Sequence, residues 1–141
     1  MNIVTFHRDH LKNMVIQQRQ QGMEKLLTDD ICDVLESAES FSAFDGDEVL
    51  ACAGVIEVAP GRAQAWAYVS DNVGRRMVGV TKAVRRFLSL RRYRRVEMDV
   101  DCDFQQAHRW AVMLGFEMEC PRRKSFTPDG RDCALYAMVN V

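Results

Sequence analysis

The chain has 141 residues, 48% of them hydrophobic and 28% charged, with a formal net charge of −1. That length suits one domain, residues 1–141, with its own core and no need of disulfides or a metal. The composition is that of a globular protein. The longest apolar run, Val49 to Ile56, is too short to cross a bilayer. The start "MNIVTFHRDH" lacks the layout of a signal peptide. Five scattered cysteines with no C-x-x-C pair point to reduced thiols in a cytosolic compartment rather than a disulfide framework or a zinc site.

Residues 2–6 are β-prone. From about His7 to Gln21, Leu11, Met14, Val15 and Gln18 recur at helical spacing, and Gly22 is a plausible stop. Thr28 reads as the N-cap of a second helix, with Asp29 and Asp30 in its first turn. Ile31, Val34, Leu35 and Ala38 follow as its apolar face. "SFSAFDGDEVLACAGVIEV" is a hairpin around Asp45-Gly46-Asp47. "APGRAQ" turns the chain again, and "AQAWAYVS" alternates as a third antiparallel strand, with Trp66 and Tyr68 on one face.

From Val73 the period becomes helical: Val73, Met77, Val80, Val84, Phe87 and Leu88 share a face, and arginines occupy the other. "RVEMDVD" is a strand with Val96, Met98 and Val100 on one side, and Phe104 to Leu114 is a helix that Gly115 can end. A last hairpin closes around Pro128-Asp129-Gly130. The order is β-α-α-β-β-β-α-β-α-β-β. The strand–helix–strand unit at 62–100 implies a parallel pair among antiparallel hairpins, a mixed-sheet α/β fold.

Charge is unevenly spread. Between Gly22 and Gly61 stand Glu24, Asp29, Asp30, Asp33, Glu36, Glu39, Asp45, Asp47, Glu48 and Glu57 against Lys25 alone. Between Gly74 and Arg95 stand Arg75, Arg76, Lys82, Arg85, Arg86, Arg91, Arg92, Arg94 and Arg95 with no acid. Such segments can bind an anion, bind nucleic acid through the Arg85–Arg95 surface, or pair with each other, within one chain or between two. No nucleic-acid-binding motif accompanies the arginines, which argues against a nucleic-acid partner.

The element order, with a helix ending in "MLGF" ahead of the final hairpin, resembles the GNAT superfamily, the acyl-CoA-dependent N-acetyltransferase fold. That family's penultimate helix reads N-x-x-A-x-x-F-Y-x-x-x-G-F. "FQQAHRWAVMLGF" keeps Ala107, an aromatic at Trp110, and Gly115-Phe116, with Phe104 in place of Asn and Ala111 in place of Tyr. The family's pyrophosphate motif, R/Q-x-x-G-x-G/A, is matched by "RMVGVT" through Arg76 and Gly79, with Thr81 in the last place. A helix N-terminus there offers unpaired N–H groups to a phosphate, and Arg75 and Arg76 add charge. Together with "WAYVSDNVGRR", the chain more narrowly resembles a phage-encoded branch that includes acetyltransferase-like and internal virion proteins.

The resemblance implies acetyl-CoA as co-substrate and an amine as acceptor, meeting where the fourth and fifth strands splay. A backbone amide around Tyr68, Val69 and Ser70 would polarise the acyl carbonyl. Asn72, Gly74, Arg75, Arg76, Val78 and Gly79 would hold the pyrophosphate, and Trp110 is counted with these coenzyme contacts. Amide formation also needs a base and an acid. Glu57 is the base candidate, and Tyr68 or Tyr136 would act as acid in place of the missing helix tyrosine. His108 reads as a surface residue, Asp99 and Asp101 as structural, and Cys102 lacks a paired histidine. The runner-up reading is a GNAT-fold phage virion or accessory protein without chemistry. Its partners would be virion components or a second copy, in the cytoplasm of a host cell or in the virion.

Overall fold

The computed structural model describes residues 1–17 and 27–140. Its elements are β1 (Asn2–Thr5), α1 (Arg8–Lys12), α2 (Asp29–Ser37), β2 (Glu39–Asp45), β3 (Glu48–Ala59), β4 (Arg62–Val69), α3 (Met77–Ser89), β5 (Arg95–Asp101), α4 (Gln105–Leu114), β6 (Glu117–Arg123) and β7 (Cys133–Val139). The strands are hydrogen-bonded in the order β1-β2-β3-β4-β5-β7-β6. This is the mixed α/β arrangement that the sequence predicts. Contacts group the chain into two compact units, Met1–Ile56 with Ala65–Leu88, and Glu57–Gln64 with Ser89–Val141.

In the first unit, β1 and β2 pair antiparallel from Asn2↔Phe44 to Thr5↔Phe41, and β2 pairs antiparallel with β3. Gly46 turns that hairpin at φ +58°, a backbone region that costs a Cβ-bearing residue but not glycine. The β2–β3 register shifts between Ala43↔Ala51 and Phe44↔Val49, which leaves Leu50 unopposed. The bulge rotates the strand locally, so Val49 and Cys52, three residues apart, both join one apolar cluster. Phe6, Leu11, Met14, Ile16, Leu35 and Tyr68 complete it, with Trp66 packed against it. A separate aromatic contact, Phe41 with Phe87 at 5.0 Å between centroids, seats α3 on β2.

The first helix is shorter than its pattern predicts. It ends at Lys12, with Asn13 at φ −92°, ψ 3°. Ile16 then forms an antiparallel bridge with Ser70, framed by Gln17 N–H to Val69 O (3.0 Å) and Asp71 N–H to Val15 O (2.7 Å). The β-branched pair Val15-Ile16 prefers this extended pairing. Ile16, which lies off the helical stripe, is buried, whereas Val15, on the stripe, is 60% exposed. The expected continuation through Gln18 to Gly22 lies outside the described residues.

Thr28 caps α2 as predicted, its hydroxyl accepting from Ile31 N–H at 3.3 Å. The buried face is a correction. Cys32 and Leu35 are buried, while Ile31 and Val34 are 40% and 46% exposed. Arg8 sets this rotation. Its guanidinium holds Asp33 and Glu36 (2.6 Å to Glu36 Oε1), and its backbone N–H donates to Glu36 at 2.9 Å. The acidic side of α2 is thereby turned toward α1.

The second unit includes the turn Pro60–Gly61, where Gly61 has φ +78° and Arg94 donates to Pro60 O at 3.4 Å. β4 and β5 are parallel, as the crossover predicts, through Arg62↔Arg95, Ala63↔Val96 and Gln64↔Glu97. β5 keeps a full antiparallel ladder with β7, from Arg95↔Val139 to Asp101↔Cys133. The edge strand β6 carries Pro121 and two register shifts against β7, devices that blunt an edge. α4 ends at Gly115, left-handed at φ 101°, whose N–H returns to the carbonyls of Ala111 and Val112. Phe116 behind it is buried. Ala111 and Leu114 of α4, Val96 and Val100 of β5, and Ala134, Tyr136 and Ala137 of β7 are buried as well.

Candidate functional site

The segment between β4 and α3 holds Ser70, Asn72, Gly74, Arg75 and Arg76, half of the predicted coenzyme contacts, within the first unit. Ser70 is buried, its hydroxyl accepts from Asn72 N–H at 3.1 Å, and its carbonyl accepts from Val73 N–H at 3.2 Å. Val73 is right-handed helical (φ −61°, ψ −42°) and Gly74 is left-handed (φ +53°). A right-handed residue followed by one at positive φ is the backbone pattern of an anion-binding concavity, here with the Val73 N–H already donated to Ser70 O. Among the described residues, no heavy atom lies within 4 Å of the place a Cβ on Gly74 would occupy. Gly74–Arg76 form a single 3₁₀ turn that runs straight into α3, so the concavity sits at the electropositive end of a 13-residue helix. Arg75 is exposed beside it.

Arg76 is differently engaged from its expected role. Its guanidinium donates to Asp45 (3.1 Å), Glu48 (2.7 Å) and the carbonyls of Asn72 (2.5 Å) and Val73 (3.2 Å). Its hydrogen bonds to Glu48 and then Asp45 push its pKa further up. Arg76 thus clamps the β2–β3 turn to the loop, one internal pairing of the acidic and basic segments. Gly79 also has a packing role, since a Cβ there would come within 3.0 Å of the Met1 methyl group. Thr81 is buried and its hydroxyl donates to Met77 O at 2.8 Å. Val78 is 63% exposed.

Of the amides expected to meet an acyl carbonyl, at Tyr68, Val69 and Ser70, that of Ser70 is engaged, as is the next one along the chain. Ser70 N–H donates to Leu50 O at 2.8 Å, and Asp71 N–H to Val15 O. Tyr68 is 9% exposed within the apolar cluster. Its ring lies 6.2 Å from that of Trp66, an arrangement of core packing.

In the second unit, Glu57 is exposed and accepts from Gly61 N–H at 3.4 Å. It therefore stands by the turn that begins β4. Asp99 is bonded to Gln64 (3.2 Å) and Arg123 (2.7 Å), and Asp101 to Arg131 (2.5 Å), a structural use as predicted. Arg95 is held by Glu97 (2.7 Å) and Glu119. Trp110 is half-buried on α4.

His108 is the second correction. It is half-buried, with Nε2 3.1 Å from Cys102 O and Nδ1 2.8 Å from the Tyr136 hydroxyl. A carbonyl can only accept, so Nε2 carries the proton and Nδ1 receives the phenolic O–H. Burial, then neighbouring Cys102, pushes the Tyr136 pKa up, which keeps the phenol protonated near neutrality. The sequence signal for this pair was faint: Ala134, Tyr136 and Met138 alternate on one face of β7, but nothing local ties that face to His108.

No protein-family model matches the sequence, and no curated protein matches it either. Solved structures do match. The ribosomal-protein-S18-alanine N-acetyltransferase from Escherichia coli superposes with TM-score 0.68 at 18% identity, covering 98% of this chain and 92% of that one. Ard1 from Thermoplasma volcanium gives 0.78 at 16% identity, with coverages of 99% and 97%. A spermidine N-acetyltransferase chimera from Vibrio cholerae and hSSAT gives 0.66 at 12%, with coverages of 99% and 96%. The chain has the GNAT fold. Within it, the loop from Ser70 to Arg76 and the start of α3 occupy the strand-to-helix position from which the sequence resemblance drew its pyrophosphate motif.

Proposed function

We propose that this GNAT-fold protein is an N-acetyltransferase that takes the acetyl group from acetyl-CoA and passes it to a primary amine. The observation that carries the proposal is the Val73–Gly74 concavity, open in front of Gly74 and followed by the N-terminus of α3. Its backbone donors and positive field suit a pyrophosphate. Arg75, rather than Arg76, is the side chain that supplies a charge-assisted contact there. Neither Glu57, which caps Gly61, nor Tyr68, in the core, carries proton transfer in this proposal.

Calorimetry with acetyl-CoA tests it. Binding at micromolar or tighter affinity is the expected result, with Arg75→Glu weakening it by about tenfold or more. No heat and no thermal shift up to millimolar acetyl-CoA would remove the proposal.

A second reading has its own support. Arg76 is held by Asp45 and Glu48, and Ser70 N–H by Leu50 O, while Ala111 stands where the family's tyrosine is common. These favour a protein that keeps the fold as a scaffold, such as a phage virion or accessory component. An absence of acetyl-CoA binding together with a stable assembly with virion proteins would select it.

A further inference from the structure

We propose that His10 is a proton-operated latch. Neutral, it holds α1 and the segment behind it against the end of β4, where the Ser70–Arg76 loop begins; protonated, it releases them. All of these residues belong to the first unit. The helix is only five residues long, Arg8–Lys12, too short to persist on its own hydrogen bonds. Two imidazoles close its first turn. His7 Nδ1 accepts from Asp9 N–H at 3.1 Å, and His10 Nδ1 accepts from His7 N–H at 3.2 Å. A backbone N–H can only donate, so Nδ1 of His10 carries no proton and the neutral ring keeps its proton on Nε2. The Ser42 hydroxyl, 2.7 Å away, donates to the same nitrogen. Ser42 is buried on β2, and its oxygen meets the Cys52 thiol of β3 at 3.4 Å. A second proton on the ring must therefore land on the one atom that does the capping, where it faces two donors.

Around His10 stand His7 and Asp9 of its own helix, with Lys12 3.9 Å beyond Asp9, and the rings of Phe6 and Phe44 at 6.4 and 5.0 Å. Arg8 is held by Asp33 and Glu36, and Glu36 also reaches His7 Nε2 at 3.7 Å. Burial pushes the Cys52 thiol up to about 11, and the hydrogen bonds of Arg8 push Glu36 down to about 2, so neither changes charge near pH 6.5. Burial and then His7 lower the His10 pKa from 6.5, with Asp9 opposing. The latch is therefore whole above pH 6.5 and opens as pH falls through the folded value. Leu11 and Met14 are buried in the apolar cluster. The last turn of α1, Asn13 N–H to Asp9 O (3.1 Å) and Met14 N–H to Leu11 O (3.2 Å), sets the direction in which the chain leaves. It arrives as the Ile16↔Ser70 bridge, with Gln17 N–H on Val69 O and Asp71 N–H on Val15 O. Ser70 stays tied to Leu50 O, so release frees Asp71 and the residues after it rather than the strand. Those residues lead into Val73–Gly74, and the link from latch to acetyl-CoA rests on the acetyltransferase reading; the latch itself does not.

Amide NMR of the ligand-free protein through a pH titration tests the latch. The Gln17 and Asp71 signals should move upfield below pH 6.5, as amides do on losing a hydrogen bond, with the midpoint of the His10 ring signals. Amides of the β5–β7 ladder should stay in place. His10→Gln keeps a side-chain acceptor at the third helical position, as in a capping box, and should hold both signals at every pH. His7→Ser keeps an N-cap acceptor and removes the other imidazole, and both signals should still move. Signals that never move, that move also in His10→Gln, or that stop moving in His7→Ser overturn the latch. Calorimetry reads the link to the loop. Acetyl-CoA affinity should fall by about fivefold below the His10 midpoint, the scale of one lost capping bond, beyond any fall seen in His10→Gln. An equal fall in both proteins overturns that link. No binding at any pH overturns the acetyltransferase reading, while the amide titration still decides the latch.

Discussion

Nδ1 of His10 lies 3.2 Å from the His7 amide and 2.7 Å from the Ser42 hydroxyl. It must be unprotonated for α1 to keep its capping box. Burial, and then the charge of His7, lower its pKa below 6.5, with Asp9 opposing. The unfolded chain therefore binds the proton more readily, and the stabilisation is whole above 6.5 and is lost as pH falls toward the folded value. Urea midpoints of the wild type should fall as the pH is lowered below 6.5, and His10→Gln should flatten that limb. Glu36 governs a lower window. Its hydrogen bonds to Arg8 depress its pKa from 4.5 to about 2, so its contribution is present above 4.5 and disappears toward 2. Glu36→Gln should remove that acid limb in the same titration. At Gly115 the backbone is left-handed at φ 101°, so Gly115→Ala should destabilise by roughly 1–2 kcal/mol, measured by chemical denaturation. That glycine was legible in the sequence because a helix stop is a local signal. The roles of His10 and Glu36 were not, because their partners Ser42 and Arg8 stand 32 and 28 residues away.

Among the elements, α2 best separates pattern from packing. Its cap is local chemistry, and Thr28→Ala should cost about 1 kcal/mol. Its orientation is not local. The apolar spacing of Ile31, Val34, Leu35 and Ala38 allows more than one helix face to turn inward, and the Arg8 clamp on Asp33 and Glu36 selects the face bearing Cys32 and Leu35. Leu35→Ala should therefore cost roughly 2–5 kcal/mol, while Val34→Ser should change stability by about 0.5 kcal/mol or less. Equal losses at the two positions would contradict the observed orientation. The same distinction explains α1. Helical periodicity marked Val15 as part of a stripe, yet pairing with the end of β4 buries Ile16. A β-branched pair beside an available strand end follows the ladder, not the period.

For the molecule as a whole, the proposed acetyl-CoA binding is read most simply as stability. Ligand at about a hundred times its Kd adds about 2.7 kcal/mol to a folded state that alone binds it. For a chain of this size that is a rise in Tm of roughly 8 °C, and Arg75→Glu should shrink it. Arg76→Glu has a different expected signature, a lower Tm without ligand, because it would set a third carboxylate against Asp45 and Glu48. The sequence by itself determined the order and type of the elements, the parallel crossover from β4 to β5, the cap at Thr28, the helix stop at Gly115 and the turns at Gly46 and Gly61. These rest on periodicity and backbone preference, which act over a few residues. Only the tertiary structure decided how the candidate site residues are engaged. It placed Arg76 on carboxylates 31 and 28 residues away, Ser70 N–H on Leu50 and Tyr68 in the core. It also joined His108 to Tyr136 across 28 residues. Hydrogen bonds and ion pairs of that span depend on strand register and helix rotation, and these are fixed only when the core packs.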